Sequence, residues 1–449
     1  MSNEAVLARP SDFQVLHDEL IGRYKTLEKG IQINQIDTRV SYASPVNFNE
    51  SMETPRHRWF PYKEGFSPSF VQQFIETHIG EEKEGIILDP FSGVGTTALV
   101  SSQLGKNAVG FDVSPLSSFV AETKSLTLDC DELSDLRVIL SDFKNSKLTK
   151  EYAAPDNETV RRYYEPEFLG ALLRVRAFIE SIGSPKSKDL FFLAYLSILE
   201  EFSTHRKAGN GVKKKTRLDY TNDSSTPLEK VRNRILRLVD VYIDDLAQSK
   251  IITPPLYLRG SSIDSETYED IDEISGVITS PPYANCFDYS KIYMRELWLG
   301  DFFRTKEDHK CFRSNSVRSH VHATWEERHP EYASDSVEHI LKPILEPQKL
   351  WSNKIPSMLS GYFKDISRVL DLIGRKSAKG TRVGFVVSNS FYGGVPVATD
   401  LLISECALKV GFRTKSIDIY RGMIPSSQQY KLIEDKYFMR ESLVVLEKQ

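Results

Sequence analysis

The chain has four cysteines in 449 residues, Cys130, Cys286, Cys311 and Cys406, and no two sit at metal-ligand spacing. That excludes a disulfide framework and argues against a zinc site, so no metal is expected and a reducing, cytoplasmic compartment is. No apolar run approaches the roughly 20 residues that a membrane-spanning helix needs. No basic-then-apolar signal follows Met1 either, so a soluble chain with no membrane partner is expected. Internal repeats and low-complexity tracts are absent. Positive charge is not in excess: 58 Lys and Arg against 62 Asp and Glu leave a formal net charge of −4, so any surface for a polyanion has to be local. Length and apolar content are ample: with 40% hydrophobic residues the chain can bury a large core, and it exceeds one minimal domain.

The most informative stretch is Thr279-Ser280-Pro281-Pro282-Tyr283, which follows the apolar run Gly276-Val277-Ile278. A buried strand that meets two prolines cannot extend its ladder, because neither has a backbone donor. Residues before proline are driven to extended geometry, so the backbone there is stiff. Rigid carbonyls can accept from an amino group, and Tyr283 offers a flat face to a ring. The pocket so described suits a planar heterocycle with an exocyclic amine; a Pro-Pro turn with a half-buried tyrosine is the plain alternative.

Upstream, the apolar stretch Gly85-Ile86-Ile87-Leu88 leads into Asp89-Pro90-Phe91-Ser92-Gly93-Val94-Gly95-Thr96-Thr97, then a helical stretch closed by Gly105. Glycines in a strand-to-helix turn let backbone approach a ligand and expose helix N-terminal amides. A second strand, Asn107 to Phe111, ends at Asp112, the spacing at which nucleotide-binding sheets set a carboxylate on ribose hydroxyls. The turn lacks the lysine of a phosphate-cradling loop and the third glycine of the dinucleotide fingerprint. Asp89 would repel a pyrophosphate and suit an ammonium. S-adenosylmethionine fits both acids, with its ammonium for Asp89 and its ribose for Asp112.

The blocks Asp89 to Thr97 and Thr279 to Tyr283 together resemble the amino-group DNA methyltransferases, which modify the exocyclic amine of cytosine or adenine. Ser before Pro-Pro-Tyr is more typical of the cytosine members, and Asp or Asn of the adenine members. Arg58-Trp59-Phe60-Pro61-Tyr62-Lys63 with Phe66-Ser67-Pro68 resembles the family segment that closes over the methionine end. Leu258 to Asp264 resembles the third cofactor strand, with Asp264 reaching the adenine amino group. The resemblance implies an α/β fold: a Rossmann-like methyltransferase sheet, mostly parallel with an antiparallel C-terminal hairpin, plus a helical insertion. It implies Asp89, Phe91, Gly93, Gly95, Thr96, Asp112, Asp264 and Tyr62 at S-adenosylmethionine, and Ser280, Pro281, Pro282 and Tyr283 as the catalytic set. Ser280 and the Pro281 carbonyl would accept the amine protons, and Tyr283 would stack on a base flipped from the duplex. Methylation of a ring carbon needs a thiolate; no cysteine follows a proline, and Cys286 is the nearest thiol to the tetrad.

Six basic residues, Arg206, Lys207, Lys213, Lys214, Lys215 and Arg217, crowd a Gly-Asn-Gly stretch without an intervening acid. Read as a flexible loop, they suit contacts to the phosphates of double-stranded DNA, or else form a solvated surface. They lie within a long gap after Asp112, where residues 166–182, 189–202 and 228–247 carry helical periodicity. The expected organisation is an N-terminal segment (1–50, with a helix at 12–29), a cofactor-binding half (51–125) and a helical insertion with DNA contacts (126–250). The tetrad region (251–302), a second insertion (303–351, with Arg313, Arg318 and His320 as DNA contacts or else an ordinary surface) and the rest of the catalytic domain (352–449) follow. In that last part, strands are expected at 383–387, 414–420 and 442–446, and the loop 421–428 is expected to return to the base pocket. No nuclease motif is evident, so an accompanying restriction endonuclease would be a separate polypeptide. Alternatives at this stage are N6-adenine methylation, an RNA or protein methyltransferase, and a catalytically silent nucleic-acid-binding subunit.

Overall fold

The computed structural model describes residues 10–37, 39, 44–80, 84–209, 211–218, 220, 224–323, 325–423 and 435–449. Its strands are β1 (Gln32–Gln35), β2 (Ile86–Asp89), β3 (Asn107–Asp112), β4 (His205–Ala208), β5 (Gly211–Lys214), β6 (Leu256–Arg259), β7 (Ile274–Thr279), β8 (Ser377–Ser388), β9 (Ser390–Tyr392), β10 (Val395–Val397), β11 (Phe412–Gly422) and β12 (Arg440–Lys448). Eight form one sheet in the order β1-β11-β12-β8-β7-β2-β3-β6. Within it, β12 runs against its neighbours, and the other pairs are parallel. This is the α/β, Rossmann-like methyltransferase sheet with an antiparallel C-terminal hairpin. The central strand β7 is buried along its whole length, as a strand covered by helices on both faces must be.

From β2 the chain fills one side of the sheet with β3 and β6, and the other with β7 and β8. The strand order therefore reverses between β2 and β7, and ligands of open α/β sheets bind outside the carboxyl ends at such a point. Those ends are Asp89 and Thr279.

The helices start where the sequence supplies caps. Ser67, Ser114 and Thr226 accept from the backbone N–H groups of Phe70, Ser117 and Glu229, and each precedes a proline in the first turn. Helices Cys130–Asn145, Pro166–Glu180, Pro185–Ile198 and Pro227–Gln248 pack in an apolar cluster with Trp59, Phe60 and Trp298. The second of the expected helices thus starts at Pro185, not 189, and Cys130–Asn145 is additional. Helix Ile355–Arg375 is a further addition, buried against the main sheet's core. So is β1, whose Gln-Ile-Asn-Gln sequence has no apolar alternation to reveal it. Part of the loop expected at 421–428, residues 424–428, lies outside the described residues.

Two expectations about basic residues are corrected. The basic stretch is a β-hairpin, β4 paired with β5, with Lys207 turned inward to Glu296 at 2.7 Å. Arg318, expected at DNA, is 3% exposed and, with Arg328, clamps Asp365; it fastens the second insertion to helix Ile355–Arg375. Among the described residues no helix is long and apolar enough to cross a membrane.

One buried carboxylate ties the segment before the cofactor loop to the insertion. Asp245 is fully buried and accepts from Arg56 N (3.0 Å), Arg58 Nη2 (2.5 Å) and Trp59 Nε1 (2.8 Å). Trp59 also stacks on Tyr242 from the same helix at 4.5 Å. Removing one partner of such a cluster leaves buried donors and charge uncompensated. Asp245→Ala is expected to cost about 3–5 kcal/mol, read as a lower urea midpoint; an unchanged midpoint would show the cluster to be dispensable.

Candidate active site

The two motifs meet through a hydrogen bond. Thr279 Oγ1 at the end of β7 donates to Asp89 Oδ1 at the end of β2, at 2.6 Å. Phe91 N donates to the same oxygen at 3.1 Å. Asp112, at the end of β3, accepts from Gly93 N at 3.0 Å and Ser114 N at 2.7 Å. The glycine loop is thereby stretched between the two carboxylates. Burial pushes both acids up to about 6, and the hydrogen bonds they accept pull the other way.

A cavity of about 1100 Å³, open solvent at its mouth included, runs over this loop. Of the sequence-derived residues, Tyr62, Asp89, Phe91, Gly93, Thr96, Asp112, Ser280 and Pro282 line it. Tyr62 closes one wall: its ring lies 3.2 Å from where a Cβ on Gly93 would stand, and it stacks on Tyr293 at 5.2 Å.

Other expected residues stand elsewhere. Gly95, at φ +82°, starts helix Thr96–Gln103, and a Cβ there would fall 2.7 Å from Ala121 and 2.8 Å from Tyr257 Oη. Its glycine serves packing beneath the loop, not the cavity wall. Asp264 is exposed and lines a neighbouring cavity that shares Val113, Gly260, Phe312 and Asn315 with the first. It precedes the short helix Ser265–Tyr268, and Ser262 takes the place on the main wall. Pro281 is buried, and the Tyr283 hydroxyl points away, donating to Glu441 Oε1 on β12 at 2.6 Å.

Sequence reasoning missed Glu64, Asp288, Tyr289, Tyr293 and His320 on the cavity wall. Tyr289 and Tyr293 are four apart just after the tetrad, a helical spacing that places both on one face. Asp288 is buried and held by Arg313 at 2.5 Å, so Arg313 is engaged inside the protein. His320, expected at DNA, is buried, and burial pushes its imidazole down to about 4.

Of the basic hairpin, Arg206, Lys213, Lys214 and Arg217 are exposed. Lys207 is not: beyond Glu296, its ammonium lies 3.9 Å from the Tyr293 ring centroid. Lys215 Nζ donates to the carbonyls of Glu200 and Glu201 at 2.8 and 3.0 Å. Arg206 and Lys213 stand opposite each other across the ladder, a paired outward-facing set. Cys286 is buried with its thiol 3.4 Å from Tyr392 Oη, and burial pushes it up to about 11. Little of it is thiolate at neutral pH.

The sheet order, with a cavity at the β2/β7 reversal, is that of the Rossmann-like methyltransferase fold. Residues 25–117 match the N6_N4_Mtase family model, described as DNA methylase. The chain is 26% identical to the type II methyltransferase M.BsoBI of Geobacillus stearothermophilus, over 95% of this chain and 92% of that protein. It is 28% identical to the type II methyltransferase M.AvaI of Nostoc sp., over 86% and 85%. It is 27% identical to the type II methyltransferase M.MjaII of Methanocaldococcus jannaschii, over 53% and 45%. The family model and these relatives support the amino-methyltransferase family.

Proposed function

We propose that this protein is a type II, site-specific DNA methyltransferase that transfers a methyl group from S-adenosylmethionine to the N4 amine of cytosine. The observation that carries the reading is the Thr279–Asp89 bond, which sets the glycine loop and the tetrad side by side at one cavity. Ser280 at the first tetrad position supports cytosine over adenine.

The residues present suit S-adenosylmethionine. Asp89 is a buried carboxylate able to hold an ammonium, Asp112 has lone pairs left for ribose hydroxyls, and the Tyr62 ring covers the loop. When bound, that cofactor supplies an electrophilic methyl group. The chain's own part is to orient the amine. Ser280 Oγ and the Pro281 carbonyl accept the amine protons, which favours the geometry in which the nitrogen lone pair is free as the transition state develops. Tyr283 presents its face to a base swung out of the duplex. No covalent enzyme–base bond is needed, in keeping with the inert Cys286.

The experiment is incubation with the cofactor and mixed-sequence duplex DNA, digestion to nucleosides and mass spectrometry. N4-methylcytosine is the expected product. N6-methyladenine would keep the mechanism and overturn the base, and no modified nucleoside from a cofactor-binding protein would overturn the reading. Ser280→Ala is expected to slow turnover by about 10²-fold, the loss typical of one transition-state hydrogen bond, with cofactor affinity unchanged.

Cofactor affinity has a pH dependence of definite sign. An ammonium needs ionised Asp89, and protonation removes that charge as pH falls through about 6. Affinity measured by calorimetry is therefore expected to be flat above about pH 7 and to drop below about pH 6, by up to about tenfold per pH unit. Asp89→Asn should bind weakly and flatten the profile; a wild-type profile flat from about pH 8 to about pH 5 counts against the ammonium contact.

The exposed hairpin residues are proposed phosphate contacts. Replacing Arg206, Lys213 and Lys214 by Ser should reduce the slope of log K against log salt by about 0.9 for each phosphate no longer neutralised. An unchanged slope would make the hairpin an ordinary surface.

A further inference from the structure

The antiparallel direction of β12 has a chemical consequence at the tetrad. Parallel strands end at the site, whereas an antiparallel strand begins there. Glu441, the second residue of β12, therefore lies level with the strand ends, opposite Ser388 of β8 and Arg421 of β11. Its side chain is 3% exposed. One carboxylate oxygen accepts from Tyr283 Oη at 2.6 Å, and the other is paired with Arg421 Nε. Ser280 Oγ lies 3.5 Å from the same phenol oxygen.

We propose that Glu441 is a positioning residue for the target base: through the phenol oxygen it sets the plane of the Tyr283 ring on which the base stacks. A buried carboxylate needs compensation, and Arg421 provides the charge. The Arg421 pair by itself requires nothing of Tyr283. The additional bond removes the freedom of the phenol end, so the ring meets the incoming base already in place, and the cost of ordering it falls on folding instead of on binding. Tyr62 is held by the stack with Tyr293; Tyr283 is held at its hydroxyl. A small misplacement of a positioning group is enough to slow a reaction whose partners must align.

This inference rests on the methyltransferase reading, and the test separates the two. Tyr283→Phe breaks the bond while leaving Glu441 paired with Arg421, so the fold has no reason to change. The expected result is an approximately tenfold slower single-turnover methyl transfer to duplex DNA, with KM for DNA within about twofold. Glu441→Gln, whose amide oxygen still accepts from the phenol, should stay within about threefold of wild type. Glu441→Leu combined with Arg421→Met removes both charges together and should match Tyr283→Phe, and adding Tyr283→Phe to that pair should slow transfer no further. Wild-type rates in Tyr283→Phe, or losses that multiply in the triple variant, would overturn the proposal. A crystal structure of the Glu441→Leu, Arg421→Met protein gives a readout independent of activity: the Tyr283 ring is expected to turn or to occupy several positions, and an unmoved ring overturns the proposal. If the wild type methylates no DNA, the methyltransferase reading fails, and the ring position alone then decides whether Glu441 holds Tyr283.

Discussion

The pairing of β2 with β7 is the constraint from which the site follows. Leu88 stands opposite Val277 in that ladder, and just past this pair Thr279 reaches Asp89 although 190 positions separate them. The bond does two jobs. It sets the start of the tetrad against the start of the glycine loop, and together with Phe91 N it satisfies a buried carboxylate oxygen. A slip of one residue in this register would turn Thr279 to the other face of the sheet and separate the motifs.

Several basic residues are held inside the protein by acids. Asp245 takes Arg58, Asp365 takes Arg318 and Arg328, and Asp400 takes Arg440, each acid fully buried. Lys207 and Arg295 are likewise held by Glu296 and Glu200. Such arginines are structural fasteners between distant segments, and buried pairs of this kind are strongly disrupted when one partner is removed. A count of basic residues therefore overstates the surface open to a polyanion, and the near-neutral total charge understates it where Arg206 and Lys213 face outward together. Two acids at the cavity follow the opposite logic: Asp89 and Asp112 are held by backbone and hydroxyl donors in place of a cation, and burial leaves them raised and suited to a ligand that brings one.

What was legible in the sequence follows from what is local. A strand, a glycine turn and an acid at the next strand's end lie within about thirty residues, and their geometry is dictated by neighbours in the chain. The Pro-Pro-Tyr block is local in the same sense. Helix Pro227–Gln248 announced itself by periodicity and by the Thr226–Glu229 capping box. By contrast, Lys207 and Lys213 are indistinguishable in a basic tract until the hairpin forms and turns Lys207 inward. Asp264 was expected at the site because Leu258 to Asp264 resembles the third cofactor strand; in the structure Ser262 lies on the main wall and Asp264 lines the adjoining cavity. Helix Ile355–Arg375 repeats apolar residues at Ile355, Leu359, Tyr362, Ile366, Val369 and Ile373, a periodic signal that the sequence does carry and that the expected strands of this region overshadowed.

The wall residues that no motif marks share one origin. His320, Asp288 and Tyr293 belong to segments after the tetrad that fold back over the glycine loop, and Glu441 arrives from the last strand because that strand is reversed within the sheet. A carboxylate at the start of an antiparallel strand inserted among parallel ones is carried to the end of the sheet where ligands bind, whereas the same residue at the start of β7 or β8 would lie at the opposite end, about 20 Å away for a strand of ordinary length. Strand direction thus decides whether Glu441 is a surface acid or a partner of Tyr283. That is a property of the sheet order, and nothing in residues 440–448 alone would reveal it.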